Sequence, residues 1–179
     1  MIRRSALVAA LLLAGCAAPV VTRVDASAPA SLPPRASFEL ADMPADSDIL
    51  PGQARDMVAA ALRQRGWRQQ RGGEYLLSVT LAERPARIAI RAGDDFGKAM
   101  GTIAPAADRS NNRGCAKSDH RLTIALTERT TGTVAFAGTA SEFHCRALLT
   151  DSLPHLVAAA VERIDTGSGS VQIARKGRR

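Results

Sequence analysis

The sequence predicts an α+β domain: an antiparallel or mixed sheet with two main helices packed on one face, preceded by a lipoprotein signal peptide and a flexible tether. Three observations lead there. Two segments, Ala54 to Leu62 and Leu149 to Ile164, carry apolar residues at helical spacing. Others alternate apolar and polar residues at strand spacing, most clearly on either side of Thr130-Thr131-Gly132. The order is strand, helix, strands, hairpin, helix, which lacks the regular alternation of a parallel α/β sheet.

The chain begins with Arg3-Arg4, an apolar run from Ala6 to Leu13, then Ala14-Gly15-Cys16. A basic start, a short apolar stretch and small residues before a cysteine read as a bacterial secretory signal ending in a lipobox. The apolar run is about eight residues, against the roughly twenty that a membrane-spanning helix requires. Residues 1–15 are expected to be removed and Cys16 to carry acyl chains such as palmitate. Two or more chains hold a protein stably on a bilayer where one does not. By resemblance to the enterobacterial sorting rule, Ala17 in place of Asp favours the periplasmic face of the outer membrane over retention at the inner membrane.

Residues 16–36 are expected to be the lipidated N-terminus and a Pro/Ala-rich tether. Val20 to Val24 has the composition of a short strand, but Pro29, Pro33 and Pro34 follow, and proline removes backbone donors. Residues 37–166 are expected to form the domain. Ser37-Phe38-Glu39-Leu40 enters it as a strand. A helix starts near Pro51, and its apolar stripe is Ala54, Met57, Val58, Ala61 and Leu62; Gly66 caps its end. Tyr75, Leu77, Val79 and Leu81 mark a half-buried strand that Pro85 interrupts. Arg87 to Arg91 reads as an edge strand, and Gly93 to Gly114 as a long mobile loop.

The clearest pair is His120 to Glu128 and Thr133 to Phe143, joined by a three-residue turn with Gly132 in the left-handed region. Leu122, Ile124 and Leu126 alternate on the first strand; Val134 and Phe136 keep phase on the second. The last helix carries Leu149, Leu153, Leu156, Val157, Ala160, Val161 and Ile164, with Asp151 as N-cap and Pro154 in its first turn. Gly167-Ser168-Gly169-Ser170 ends it, and residues 167–179 are expected to be a frayed Gly/Ser-rich and basic tail.

The full chain has a formal charge of +7, and removal of Arg3 and Arg4 lowers this by two. The cations are not interleaved with aromatics, since the chain has one Trp, one Tyr and four Phe, so no stacking platform for nucleic acid is indicated. In the periplasm the excess charge implies at most a weak affinity for anionic envelope components.

With Cys16 acylated, Cys115 and Cys145 remain as a pair in an oxidising compartment. They stand sixteen residues before and fourteen after Thr131, so a continued hairpin brings them together as a disulfide. Cys115, His120, His144 and Cys145 have the chemistry of zinc ligands. However, His144 and Cys145 are neighbours in a strand and point to opposite faces, so no metal site is expected. His155 reads as a surface residue and Asp94-Asp95 as solvated loop carboxylates. The chain has no Gly-x-Ser-x-Gly elbow, P-loop or His-Glu-x-x-His motif. No catalytic residue and no cofactor is indicated.

The lipobox cysteine is followed by Val20-Val21-Thr22-Arg23-Val24, Ser37-Phe38-Glu39-Leu40, an Ala-rich helix ending Arg65-Gly66-Trp67, and the strand Glu74-Tyr75-Leu76-Leu77-Ser78-Val79. This order resembles the small proteobacterial envelope lipoproteins that carry a domain of unknown function. The resemblance implies an α+β domain on a lipid anchor and carries over no site residue. Two function classes follow. The first is a non-catalytic binding or accessory component that meets an envelope protein partner. The alternative is a lipid-anchored periplasmic enzyme acting on cell-wall or lipid substrates. A binding protein should offer an exposed apolar patch or an open sheet edge; an enzyme, an accessible pocket of converging polar groups.

Overall fold

A computed structural model describes residues 19–43, 49–85, 90–93, 99–104 and 118–176. They form an α+β fold with a mixed seven-stranded sheet and two helices. The strands are β1 (Val20–Ser27), β2 (Ser37–Leu40), β3 (Arg68–Gln69), β4 (Tyr75–Pro85), β5 (Ile90–Gly93), β6 (Ala99–Ala104), β7 (Ser118–Glu128), β8 (Val134–His144) and β9 (Gly169–Arg175); the helices are α1 (Ile49–Gln64) and α2 (Leu149–Thr166). The sheet order is β3-β2-β4-β7-β8-β1-β9, and β5 and β6 pair separately. β2 runs parallel to β3 and β4; the other pairings are antiparallel.

One face of the sheet builds the core. Leu122, Ile124 and Leu126 of β7 lie opposite Ala140, Gly138 and Phe136 of β8, and Leu77 of β4 lies opposite Leu126. Val24 of β1 continues the row. α1 and α2 pack against each other and over this face, contributing Ala54, Val58, Leu62, Leu156, Ala160 and Ile164. Most of each helical stripe read from the sequence is buried; Met57, Ala61 and Leu149 are only partly so, and Ala59 and Ala159, outside the stripes, are buried as well. At the end of α1 Gly66 is left-handed (φ 87°), and Trp67 N–H and Gly66 N–H bond back to the Leu62 and Arg63 carbonyls, a Schellman closure. The β7–β8 turn also matches expectation: Gly132 has φ 70° and its N–H bonds to the Glu128 carbonyl.

Several expectations are corrected. Val20–Ser27 lies inside the segment read as tether, yet it pairs with both β8 and β9, and Val24 is fully buried. Gly169–Arg175 lies in the segment read as a frayed tail, yet it pairs with β1 along its whole length. The folded unit thus reaches beyond 37–166 at both ends. The physical reason is mutual: neither strand has a strong apolar pattern, and each is held by the backbone ladder to β1 or β8. Within the expected 93–114 loop, Ala99–Ala104 pairs with Ile90–Gly93. Asp151 is not the N-cap of α2. Leu148 takes that place, and Asp151, three residues on, accepts the Leu148 N–H at 3.2 Å. Pro154 consequently falls in the second turn, and the Thr150 carbonyl loses its intrahelical donor. Val134 falls out of phase: an irregularity in the ladder between Leu126 and Thr127 sets it opposite Thr127, and it is half exposed beside the turn. Among the described residues, no helix is long and apolar enough to cross a membrane.

Candidate functional site

The apolar alternation of the core face turns polar at one end. In β7 the row Leu126, Ile124, Leu122 continues to His120; in β8, Phe136, Gly138, Ala140 continues to Glu142 and His144. The register sets Glu142 between His120 and Thr22. α2 covers the group with Ser152, and β9 adds Arg175 from the edge. His120, Glu142 and Ser152 have no exposed surface, and Thr22 and His144 are buried.

The carboxylate of Glu142 is saturated. Oε1 accepts Thr22 Oγ1 at 2.5 Å and Arg175 Nε at 3.2 Å; Oε2 accepts Arg175 Nη2 at 2.7 Å and His144 Nε2 at 2.8 Å. Burial pushes its pKa up, but the hydrogen bonds from His144, Arg175 and Thr22, with the Arg175 charge, outweigh burial and hold it at about 2. Such a carboxylate is acceptor only, so the network assigns the His144 proton to Nε2. Ser152 Oγ lies 3.0 Å from that nitrogen and 2.7 Å from His120 Nδ1. The serine hydroxyl therefore donates to His120 Nδ1, and His120 carries its own proton on Nε2, 3.4 Å from Glu83 Oε1. The two imidazoles stack with centroids 4.7 Å apart. Burial and the neighbouring His144 lower the His120 pKa, and the Glu83 carboxylate opposes them.

Ser152, His120 and Glu83 thus align hydroxyl, imidazole and carboxylate, the order of a nucleophile relay. The chemistry is blocked by position. A nucleophile must meet its substrate, whereas Ser152, on the inner side of α2, has no exposed surface. The arrangement instead ties α2, β7, β8, β1 and β9 together through one ionic group.

The opposite sheet face holds a second buried carboxylate. Asp119 Oδ2 accepts Arg84 Nε at 3.1 Å and Arg121 Nη2 at 3.0 Å. Away from both clusters, a groove of about 520 Å³ is lined by Arg55, Arg63 and Arg71 with Glu39. Glu39 is paired with Arg129 and also accepts the Gly72 N–H.

Of the residues singled out in the sequence, Cys16, Cys115, Asp94 and Asp95 lie outside the described residues. Cys145 directly follows β8 and is disulfide-bonded. His155 is exposed on α2. Among the described residues, no group of three or more His, Cys, Asp or Glu side chains is placed to hold a metal ion. Sequence reading missed Thr22, Glu142, Ser152 and Arg175. The signal was present: extending the Leu126-to-Phe136 register inward puts His120 opposite Glu142.

No known protein family matches the chain, and no curated protein is similar to it. Solved structures are. A PDZ domain protein from Parabacteroides distasonis aligns with a TM-score of 0.61 at 9% identity, over 95% of this chain and 42% of that one. This chain therefore spans less than half the length of that protein, and the likeness is one of fold. PelC from Paraburkholderia phytofirmans, solved as a dodecamer, aligns with a TM-score of 0.48 at 12% identity, over 80% of this chain and 98% of PelC.

Proposed function

We propose that this chain is a non-catalytic cell-envelope lipoprotein, acylated on Cys16, held at the periplasmic face of the outer membrane, and acting as a binding or accessory component for an envelope protein. Membership of the small proteobacterial lipoproteins with a domain of unknown function belongs to the same proposal. The observation that supports binding over catalysis is the burial of the polar cluster: Ser152, His120 and Glu142 have no exposed surface. The sheet, by contrast, ends in β9, a seven-residue strand that pairs with β1 alone among the described strands and leaves Ile173 part-exposed. An edge of this kind accepts an added strand from a partner.

The anchor geometry changes with β1. Only Ala17, Ala18 and Pro19 separate Cys16 from the sheet. Four residue steps of extended chain reach at most roughly 14 Å. Acylated on Cys16, the domain would sit against the bilayer.

The test has two parts. Labelled palmitate should enter the wild-type chain and not Cys16→Ala. A detergent-solubilised envelope should yield a partner that wild type retains and Ile173→Lys loses, because an edge lysine discourages strand addition. Absence of label removes the anchor; turnover of an envelope substrate that is lost in Ser152→Ala replaces binding with catalysis.

A further inference from the structure

We propose that the end of the sheet where β1 begins is a binding site for anionic lipid headgroups, formed by Arg146, Lys176 and the exposed Leu148. The inference rests on Cys16 being the anchor, and it adds a second contact beside that anchor. Its basis is register. β1 and β9 are antiparallel with Val20 opposite Arg175, so Lys176 leaves the sheet where the chain arrives from Cys16. Thr22 lies opposite Glu142, so the turn after His144, which holds Arg146 and Leu148, leaves β8 at the same end. Three separate chain segments therefore converge where the acyl chains would enter the bilayer.

The charge at this end is uneven. Glu142 is neutralised by Arg175, and Asp119 by Arg84 and Arg121. Among the described residues, the exposed carboxylates at this end are Glu83, which faces His120, and Asp151, which accepts the Leu148 N–H. Arg146 and Lys176 are exposed and pair with no described carboxylate. Leu148 is 68% exposed, one of the largest exposures among the apolar side chains, and lies two residues from Arg146. An exposed leucine two residues from an exposed arginine, with Lys176 leaving the sheet at the same end, matches the headgroup boundary, where apolar side chains enter and phosphates meet cations. With the acyl chains fixing one point and a span of only roughly 14 Å, the domain cannot turn this end far from the membrane.

The experiment uses the mature chain, residues 16–179, carrying Cys16→Ser so that no acyl chain contributes, and vesicles of phosphatidylglycerol mixed with phosphatidylethanolamine. Wild type should cosediment with these vesicles, bind far less to pure phosphatidylcholine, and weaken with salt. Each basic residue near an anionic surface contributes about fivefold in partitioning, so Arg146→Ala with Lys176→Ala should weaken binding roughly thirtyfold. Leu148→Ala should weaken it on every vesicle. Arg68→Ala with Arg71→Ala removes the same charge at the opposite end, where both residues are exposed, and should bind nearly as wild type does. Equal losses in the two double variants, or no loss in the first, overturn the proposal. Palmitate labelling separates the two readings: a labelled chain with charge-insensitive vesicle binding keeps the anchor and removes the headgroup site, and an unlabelled chain with the expected losses does the reverse.

Discussion

Arg175 and Glu142 meet in a bidentate pair, with Nη2 at 2.7 Å and Nε at 3.2 Å from the two carboxylate oxygens. The pair joins an edge strand to the interior of the sheet. Glu142 has no exposed surface, so its charge depends on its partners. Removing one partner of a buried ion pair leaves the other uncompensated, at a cost of about 3 to 5 kcal/mol. Arg175→Met is expected to lower stability by that amount in urea denaturation. Adding Glu142→Gln should recover part of the loss, because the buried charge is gone while Thr22 keeps an acceptor. Equal stability of wild type and Arg175→Met would mean that Glu142 does not need this partner.

The cluster also sets the pH response. Glu142 is held at about 2 against an ordinary 4.5, so the folded state takes up its proton less readily than the unfolded state. Its contribution is complete above pH 4.5 and is lost as pH falls toward 2. The His120 pKa is lowered from 6.5, which has the same sign: neutral imidazole is favoured in the fold, and stability is lost as pH falls below 6.5. Denaturation midpoints should be level above pH 6.5, decline below it, and decline further below 4.5. His120→Asn should flatten the first decline and leave the second. A wild-type curve level down to pH 4.5 would contradict the assignment to His120.

Ser152 serves two imidazoles at once. Ser152→Ala leaves His120 Nδ1 without its donor inside the core, and an unsatisfied buried group costs about 1 to 3 kcal/mol. Ser152→Cys, with a weaker donor of similar shape, should cost less. Thermal unfolding of the two variants gives the ranking, and the reverse ranking would show that the site is limited by volume rather than by hydrogen bonding.

The helices and the β7–β8 hairpin are legible in the sequence because each repeats one periodicity over many residues, as Leu153, Leu156, Ala160 and Ile164 do in α2. β9 is not legible, and β1 is legible only as the short strand composition of Val20 to Val24, not as a member of the sheet. Val20–Ser27 mixes Thr, Arg and Asp with its valines, and Gly169–Arg175 has two apolar residues of high β-propensity, Val171 and Ile173. What makes them strands is pairing with β8 and with each other, across roughly 120 and 150 residues of sequence, and backbone ladders leave no compositional trace. The polar cluster was hidden for a related reason. His120, Glu142, Ser152 and Arg175 come from four elements, and each alone reads as a surface residue. The register of β7 on β8 sets His120 opposite Glu142, and the packing of α2 and the pairing of β9 with β1 bring Ser152 and Arg175 to them.

Gly138 tests the packing of the core face. A Cβ there would stand 2.7 Å from Phe136 Cζ, and Phe136 has no exposed surface into which to retreat. The glycine makes the room in which the ring lies along its own strand. Gly138→Ala is expected to destabilise by about 1 to 3 kcal/mol through overpacking. Phe136→Leu in the same chain should relieve part of that penalty, so the two changes should be less than additive in denaturant titrations. Strict additivity would place the glycine's role in the backbone instead.

Cys145 follows β8 directly, and the last paired residues of the hairpin are Ser118 and His144. Cys115 stands three residues before Ser118 in sequence. If these two cysteines are joined, the bridge closes the loop between them at the point where the hairpin opens. Chain entropy then gives about 3 to 4 kcal/mol of stabilisation for a loop of this length. Cys115→Ser and Cys145→Ser should each lose that amount, and the double variant should lose no more than either single one, since one bond is removed in all three. Denatured, unreduced mature protein should show no free thiol from this pair. Two free thiols, or single variants whose losses add in the double, would break the pairing. The bridge would also clamp the start of β7 to the turn that carries Arg146 and Leu148, so its reduction should loosen this end of the sheet before the rest, with hydrogen exchange rising first near Ser118 and Leu148.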